Sequence, residues 1–216
     1  MNSTLARTVR SAAAAGFLLL AAAVAMPAEI TEGVHYKQLK PAQPTNVAPG
    51  KAEVVEVFWY ACGHCFLIEP RVEAWERKGK AANVDLVRLP ATWNETLKMH
   101  ARVFYTAEVL GKLPELHGEI FREVNLRKNR LDTPDSIEAF FVAHGVPKAD
   151  FKKAFASFAV DSRVNRAVDL NRRYRISSTP TFVVNGRYVT DAGMAGSEDK
   201  LFEIINALAA RDQPAS

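Results

Sequence analysis

The sequence predicts an α/β fold in which a βαβ unit and a closing ββα unit are separated by an all-helical block of about 80 residues. Three observations predict it. A β-branched and aromatic run at 54–60 leads into apolar residues at helical spacing (Phe66, Ile68, Val72, Trp75) and then into a second apolar run at 84–89. From 95 to 174 the apolar period is helical almost throughout. At Thr181 the pattern returns to short strands, with Asn185-Gly186 as a hairpin signal between them.

Each element has a local reason. Residues 54–60 are rich in Val, Phe, Trp and Tyr, which fits a buried strand. The helix after it carries Pro70, whose missing N–H and ring clash predict a kink. Residues 84–89 are the second strand, and strand–helix–strand in this order closes as a right-handed crossover with parallel strands. In the helical block Leu97, Ala101 and Phe104 share one stripe, and Leu116, Ile120 and Val124 share another. Thr133-Pro134 forms an N-cap and first-turn pair ahead of Ile137, Phe140 and Phe141, and Gly145 stops that helix. Pro147 opens the next, with Phe151, Phe155 and Phe158 as its apolar residues; Val164, Val168 and 170–174 carry the last. After the hairpin of 181–184 and 188–190, Ser197 caps a helix bearing Leu201, Ile204, Ile205 and Leu208. The stretch 33–51, with Pro41, Pro44 and Pro49, reads as a polar lead-in.

The N-terminus reads as a secretory signal. Arg7 and Arg10 precede an apolar run at 12–25, and Ala23-Val24-Ala25 supplies the small residues that a signal peptidase needs. The run is shorter than the ~20 apolar residues that span a bilayer. The expected organisation is a signal peptide over 1–28, cleaved after Ala25 or Ala28, a core domain formed by 29–94 and 175–216, and a helical insertion over 95–174. The formal charge is +4, and without Arg7 and Arg10 it falls to 26 basic against 24 acidic groups. Such a balance excludes a strongly basic nucleic-acid or membrane-surface binder.

The chemistry concentrates on the only two cysteines, Cys62 and Cys65. A disulfide between them closes too small a loop to add much stability, so both read as reagents rather than staples. They stand where a helix begins after a buried strand. Unpaired N–H groups and the helix dipole there favour a thiolate at Cys62, with Cys65 one turn further in as the resolving sulfur. His64, between them, can stabilise that thiolate by charge or hydrogen bond. Zinc would need two more ligands, and His35, His100, His117 and His144 lack the required spacing. Phe66 stands where a haem-attachment motif needs histidine. No metal, haem or nucleotide cofactor is expected, only a redox-active disulfide. Glu56 interrupts an apolar strand, with Val55 and Val57 on the opposite face. Glu69 reads as a solvated helix residue, Trp59 and Trp75 as core aromatics, and Met99 and His100 as ordinary helix-face residues.

The run from Val54 through Cys62-Gly63-His64-Cys65, the helical block, and Thr179-Pro180-Thr181-Phe182 before Asn185-Gly186 together resemble the DsbA family of periplasmic disulfide oxidoreductases. The resemblance extends from about Glu29 to the last helix. It implies a thioredoxin-like fold interrupted by the helical insertion. It further implies a periplasmic, monomeric enzyme that donates its Cys62–Cys65 disulfide to unfolded exported proteins and is reoxidised by a DsbB-type inner-membrane quinone reductase. By the same resemblance Glu56 is a buried acid that exchanges a proton with Cys65. Thr179 and a cis Pro180 then face Cys62 and bind substrate. Two positions depart from the family pattern: Gly63-His64 looks like the dipeptide of protein disulfide isomerases, and Thr179 replaces the more usual Val.

Two other functions stay open. One is the same chemistry reversed, a periplasmic isomerase or thiol reductase; the roughly 25 residues between the leader and the first strand are too few for the dimerisation domain such isomerases carry. The other is a redox-inactive binding module, against which two intact cysteines at a helix start argue.

Overall fold

A computed structural model describes residues 29–211 of the chain; the expected leader lies outside the described residues. β1 (Lys37–Gln38) and β2 (Ala52–Phe58) precede α1 (Gly63–Ala74), which passes into a π turn at Trp75–Gly79, and β3 (Val84–Pro90) completes the first unit. The helical block follows as α2 (Glu95–Val109), α3 (Leu113–Asn125), α4 (Pro134–Ala143), α5 (Lys148–Phe155) and α6 (Phe158–Tyr174). The chain then returns through β4 (Thr181–Val184), β5 (Tyr188–Thr190), the short α7 (Ala192–Ala195) and α8 (Glu198–Arg211). The described strands form one sheet in the order β1-β5-β4-β2-β3, with β2 and β3 parallel and the other pairs antiparallel.

Strand β2 lies between β4 and β3 and is buried along its whole length, which is why its sequence is a nearly continuous apolar run. Its two faces build two cores. Ala52 and Val54 pack with Ile68, Val72 and Trp75 of α1 and with Leu201, Ile204, Ile205 and Leu208 of α8. Val55 and Val57 pack on the other side with Leu97, Ala101 and Phe104 of α2 and Leu116, Ile120 and Phe121 of α3. Each of the buried Val, Leu, Ile and Phe side chains among them contributes about 1.5–3 kcal/mol of transfer free energy. The hairpin turn has Asn185 at φ 50° and Gly186 at φ 60°, as a type I′ turn requires. A Cβ on Gly186 would lie 2.1 Å from the Gln43 carbonyl oxygen, so only glycine fits. Asn185 fastens the turn to β2, donating its N–H to the Glu53 carbonyl at 2.8 Å and accepting the Glu53 N–H at 3.0 Å.

Several expected boundaries move. The strand expected at 54–60 occupies Ala52–Phe58, because the chain turns at Trp59, whose carbonyl accepts the Cys62 N–H at 2.9 Å. The lead-in contains β1, which pairs with β5 but is too short and exposed to leave an apolar pattern. Phe158 is not an apolar residue of α5: Ala156 ends that helix, Ser157 caps α6, and Phe158 begins it 85% exposed. Thr133 caps α4 through a reciprocal pair with Ser136, and Ser197 Oγ accepts the Lys200 N–H at the start of α8. Among the described residues no helix is long and apolar enough to cross a membrane.

Candidate active site

Cys62 is the N-cap of α1, the place where serine or aspartate would ordinarily cap a helix. Its Sγ accepts the Cys65 N–H at 3.4 Å, and its carbonyl accepts the Phe66 N–H at 3.0 Å. Both cysteines are thiols in this structure. The Cys65 side chain hydrogen-bonds to Cys62 Sγ and is the largest influence lowering the Cys62 thiol, which falls to about 5. The Thr179 side chain and the backbone N–H groups of Cys65 and His64 pull in the same direction, while burial opposes them. Cys65 is fully buried, and burial together with the neighbouring Cys62 sulfur pushes its thiol far above the ordinary value. Two sulfurs three residues apart are thus held in opposite protonation states: a half-exposed thiolate at the rim and a buried thiol behind it.

The Thr179-Pro180 bond is cis, and the Thr179 carbonyl lies 3.4 Å from Cys62 Sγ, within reach of its S–H when the sulfur is protonated. These two residues come to the cysteines because β4 begins at Thr181 and runs antiparallel to β2, whose end carries the active-site turn. A shallow cleft beside them is lined by His64, Ile68, Thr179, Pro180, Ala192 and Gly193, and Leu67 of α1 is 66% exposed. His64 is exposed; its backbone, rather than its imidazole, is the part that lowers the Cys62 thiol.

Glu56 is fully buried on the α1 face of the sheet, directly opposite Arg88 in the parallel β2–β3 register. Arg88 is shared by three carboxylates: its Nε lies 3.6 Å from Glu56, one terminal nitrogen 2.9 Å from Glu69 and the other 3.1 Å from Glu76. Burial first, and the Glu69 charge second, raise the Glu56 carboxyl well above the carboxylate range, although Arg88 opposes them. Glu69 is not a solvated residue: it is 4% exposed, because the helical block brings His117 of α3 over it and β3 brings Arg88 beneath it. Burial alone would raise its carboxyl, but the hydrogen bond from His117 and the charges of His117 and Arg88 hold it below the ordinary value. Trp75 is a core aromatic, Trp59 is partly buried, and His100 is buried with Nε2 at 2.8 Å from the Arg130 carbonyl.

The Glu56 carboxyl gives a direct prediction. A folded-state value raised above the unfolded one favours the fold at low pH and withdraws that contribution as pH rises through the folded value. Glu56→Gln keeps the shape, removes the titration and leaves Arg88 paired with Glu69 and Glu76. It should therefore stabilise the protein by about 1–2 kcal/mol at pH 8 and have little effect at pH 4.5. Urea unfolding at the two pH values measures this, and a loss of stability at pH 8 contradicts it.

Arg88, Glu69 and His117 are the parts of the site that the sequence did not bring forward. A usable signal was present for Arg88. It stands among apolar residues in the second half of its strand, as Glu56 does in β2, and two such charges on neighbouring parallel strands pair when the register aligns them.

Residues 76–203 match the family of DSBA-like thioredoxin domains. The chain is 37% identical over 192 residues to the thiol:disulfide interchange protein DsbA of Azotobacter vinelandii, covering 88% of this chain and 87% of that one. To the protein of the same name in Pseudomonas syringae pv. tomato it is 34% identical over 203 residues, with 94% and 93% covered. Among solved structures, that of Pseudomonas aeruginosa DsbA superposes with a TM-score of 0.76 at 35% identity, covering 81% of this chain and 90% of that one. That of the oxidoreductase DsbA from Xylella fastidiosa gives 0.77 at 28% identity, covering 84% and 97%.

Proposed function

This chain belongs to the DsbA family of thiol:disulfide oxidoreductases, and from that membership we propose that it oxidises exported proteins in the periplasm by giving up a Cys62–Cys65 disulfide. The observation that carries the direction of the reaction is the contrast at the α1 N-terminus, a thiolate at about 5 on Cys62 beside a buried thiol on Cys65. Interactions that favour the Cys62 thiolate exist only in the reduced protein. They therefore draw electrons onto the pair and make its disulfide an oxidant.

The reaction runs in two displacements. A substrate thiolate attacks Cys62 Sγ of the disulfide, the S–S bond breaks, and Cys65 leaves with the electron pair and takes up a proton. A second substrate thiolate then attacks the substrate sulfur of the mixed disulfide, and Cys62 departs as the stabilised thiolate. Two electrons pass from substrate to enzyme. Glu56 serves as the buried acid that supplies and recovers the Cys65 proton. An extended substrate lies against Thr179 and Pro180, with the cleft beside His64 and Ile68 receiving its flanking residues. No metal, haem or nucleotide takes part; the enzyme acts as a monomer, and a DsbB-type quinone reductase restores the disulfide.

The test is the thiol state of the pair in the cell. Alkylation of freshly quenched cells should find Cys62 and Cys65 joined as a disulfide, and the oxidised protein should convert a reduced, unfolded dithiol protein to its disulfide form. A pair that stays reduced in the cell, with no such transfer, would point to an isomerase or a reductase.

A further inference from the structure

One buried histidine of the helical block touches both flanks of the active-site turn. His117 of α3 is 6% exposed. Its Nδ1 lies 2.8 Å from the hydroxyl of Tyr60, two residues before Cys62. Its Nε2 lies 3.4 Å from Glu69 Oε1, four residues after Cys65 on α1. The orientation of the ring follows from its neighbours. A nitrogen facing a carboxylate oxygen carries the hydrogen, so Nε2 is protonated and Nδ1 accepts the Tyr60 hydroxyl. Tyr60 is fully buried and burial keeps its phenol protonated, so the donor is always in place.

The charges around the ring come from every element packed on it. α1 and the π turn supply Glu69, Glu73, Glu76 and Arg77; β3 supplies Arg88, with Glu56 of β2 behind it. From α2 the ring meets Phe104 at 6.0 Å, and His100 reaches the Tyr60 ring at 6.2 Å. A cleft lined by Glu73, Glu76, Arg77, Arg88 and His117 gives solvent protons a route to the ring.

We propose that His117 is a positioning residue for the Cys62–Cys65 pair, holding Tyr60 and Glu69 on either side of the active-site turn and adding a positive charge there when it takes a proton. The inference rests on the oxidoreductase reading above. Protonation places a hydrogen on Nδ1, so the Tyr60 hydroxyl must turn from donor to acceptor while Glu69 gains a full countercharge. The proton comes from water through the cleft and returns there; no electron moves. Reduction of the pair adds a thiolate at Cys62, seven residues or about 10 Å along α1 from Glu69, in a region where the Glu69 and Glu76 carboxylates already share one arginine. A cation at His117 offsets that excess. The disulfide therefore becomes a stronger oxidant on acidification than the Cys62 thiol alone would make it.

Redox equilibria with glutathione, measured from pH 8 to pH 5.5 for the wild type and for His117→Gln, test this. Glutamine retains a donor and an acceptor but never carries charge. The two equilibrium constants should agree near pH 8, and at pH 5.5 the wild type should favour the dithiol about fivefold more than His117→Gln. A ratio that stays flat over the range, even if the variant melts earlier, overturns the proposal and leaves His117 a packing residue. Tyr60→Phe supplies a second test should His117→Gln fail to fold. Removing the donor from Nδ1 should move the pH at which the wild-type equilibrium changes, and an unmoved profile overturns the proposal equally. If the wild type exchanges no disulfide with glutathione at any pH, the oxidoreductase reading itself fails and this proposal falls with it. Exchange with a flat ratio defeats only the role of His117.

Discussion

Cys62→Ser should reduce disulfide transfer to the uncatalysed background, whereas Cys65→Ser should accumulate mixed disulfides between Cys62 and its substrates. Only Cys62 presents sulfur to the outside: it is partly exposed at the cap of α1, while Cys65 is 0% exposed behind it. A serine hydroxyl forms no S–S bond, so the first variant has no electrophile or nucleophile at the rim. The second variant keeps a Cys62 that is thiolate over most of the neutral range, able to enter a mixed disulfide but lacking the buried sulfur that would expel the partner. Non-reducing electrophoresis and mass spectrometry of the adducts read the result. Adducts trapped on Cys65 in the Cys62→Ser variant would reverse the assignment of the two roles.

Arg88→Met should cost about 3–5 kcal/mol of stability at pH 7.5, the expected penalty for removing one partner of a buried ionic cluster. The Arg88 side chain is only 17% exposed and the Glu56 side chain is 0% exposed, so water cannot replace the lost guanidinium. Burial opposes the Arg88 charge, but the carboxylates of Glu56, Glu69 and Glu76 more than compensate and raise it above its ordinary value. The pH dependence follows from Glu69, whose carboxyl is held below its ordinary value. Its contribution is present above the unfolded carboxylate value and is lost as pH falls through the folded one. Arg88→Met should therefore lose most stability at neutral pH and converge toward the wild type below about pH 4. Urea titrations at both pH values measure it. A deficit under 1 kcal/mol, or one independent of pH, would show that the cluster is not what holds β3 to α1.

What the sequence made legible was whatever a short stretch encodes by itself. A cysteine pair at a strand-to-helix junction specifies a capped thiolate, Thr179-Pro180 before an apolar run specifies a strand entry, and Asn185-Gly186 specifies a type I′ turn. Each depends on neighbours within a few residues. Glu69 failed for the opposite reason. Its burial depends on Arg88, 19 residues away, and on His117, which only the packing of α3 over α1 brings near. Phe158 failed because its spacing from Phe151 and Phe155 suits one continuous helix, while the break at Ala156 and the Ser157 cap begin a new one. Glu56 sits between these cases. Alternation along β2 gave its face, and the register against β3 gave its partner.

The central claim is that the fold holds Cys62 as a thiolate at the cap of α1, and the ultraviolet absorbance of that thiolate against pH tests it most directly. In the reduced protein one thiol should ionise with a midpoint at about 5, the change should vanish in Cys62→Ser, and Cys65 should not ionise below pH 9. A single midpoint near the ordinary thiol value of about 8.5, or a low midpoint that survives in Cys62→Ser, would contradict the account.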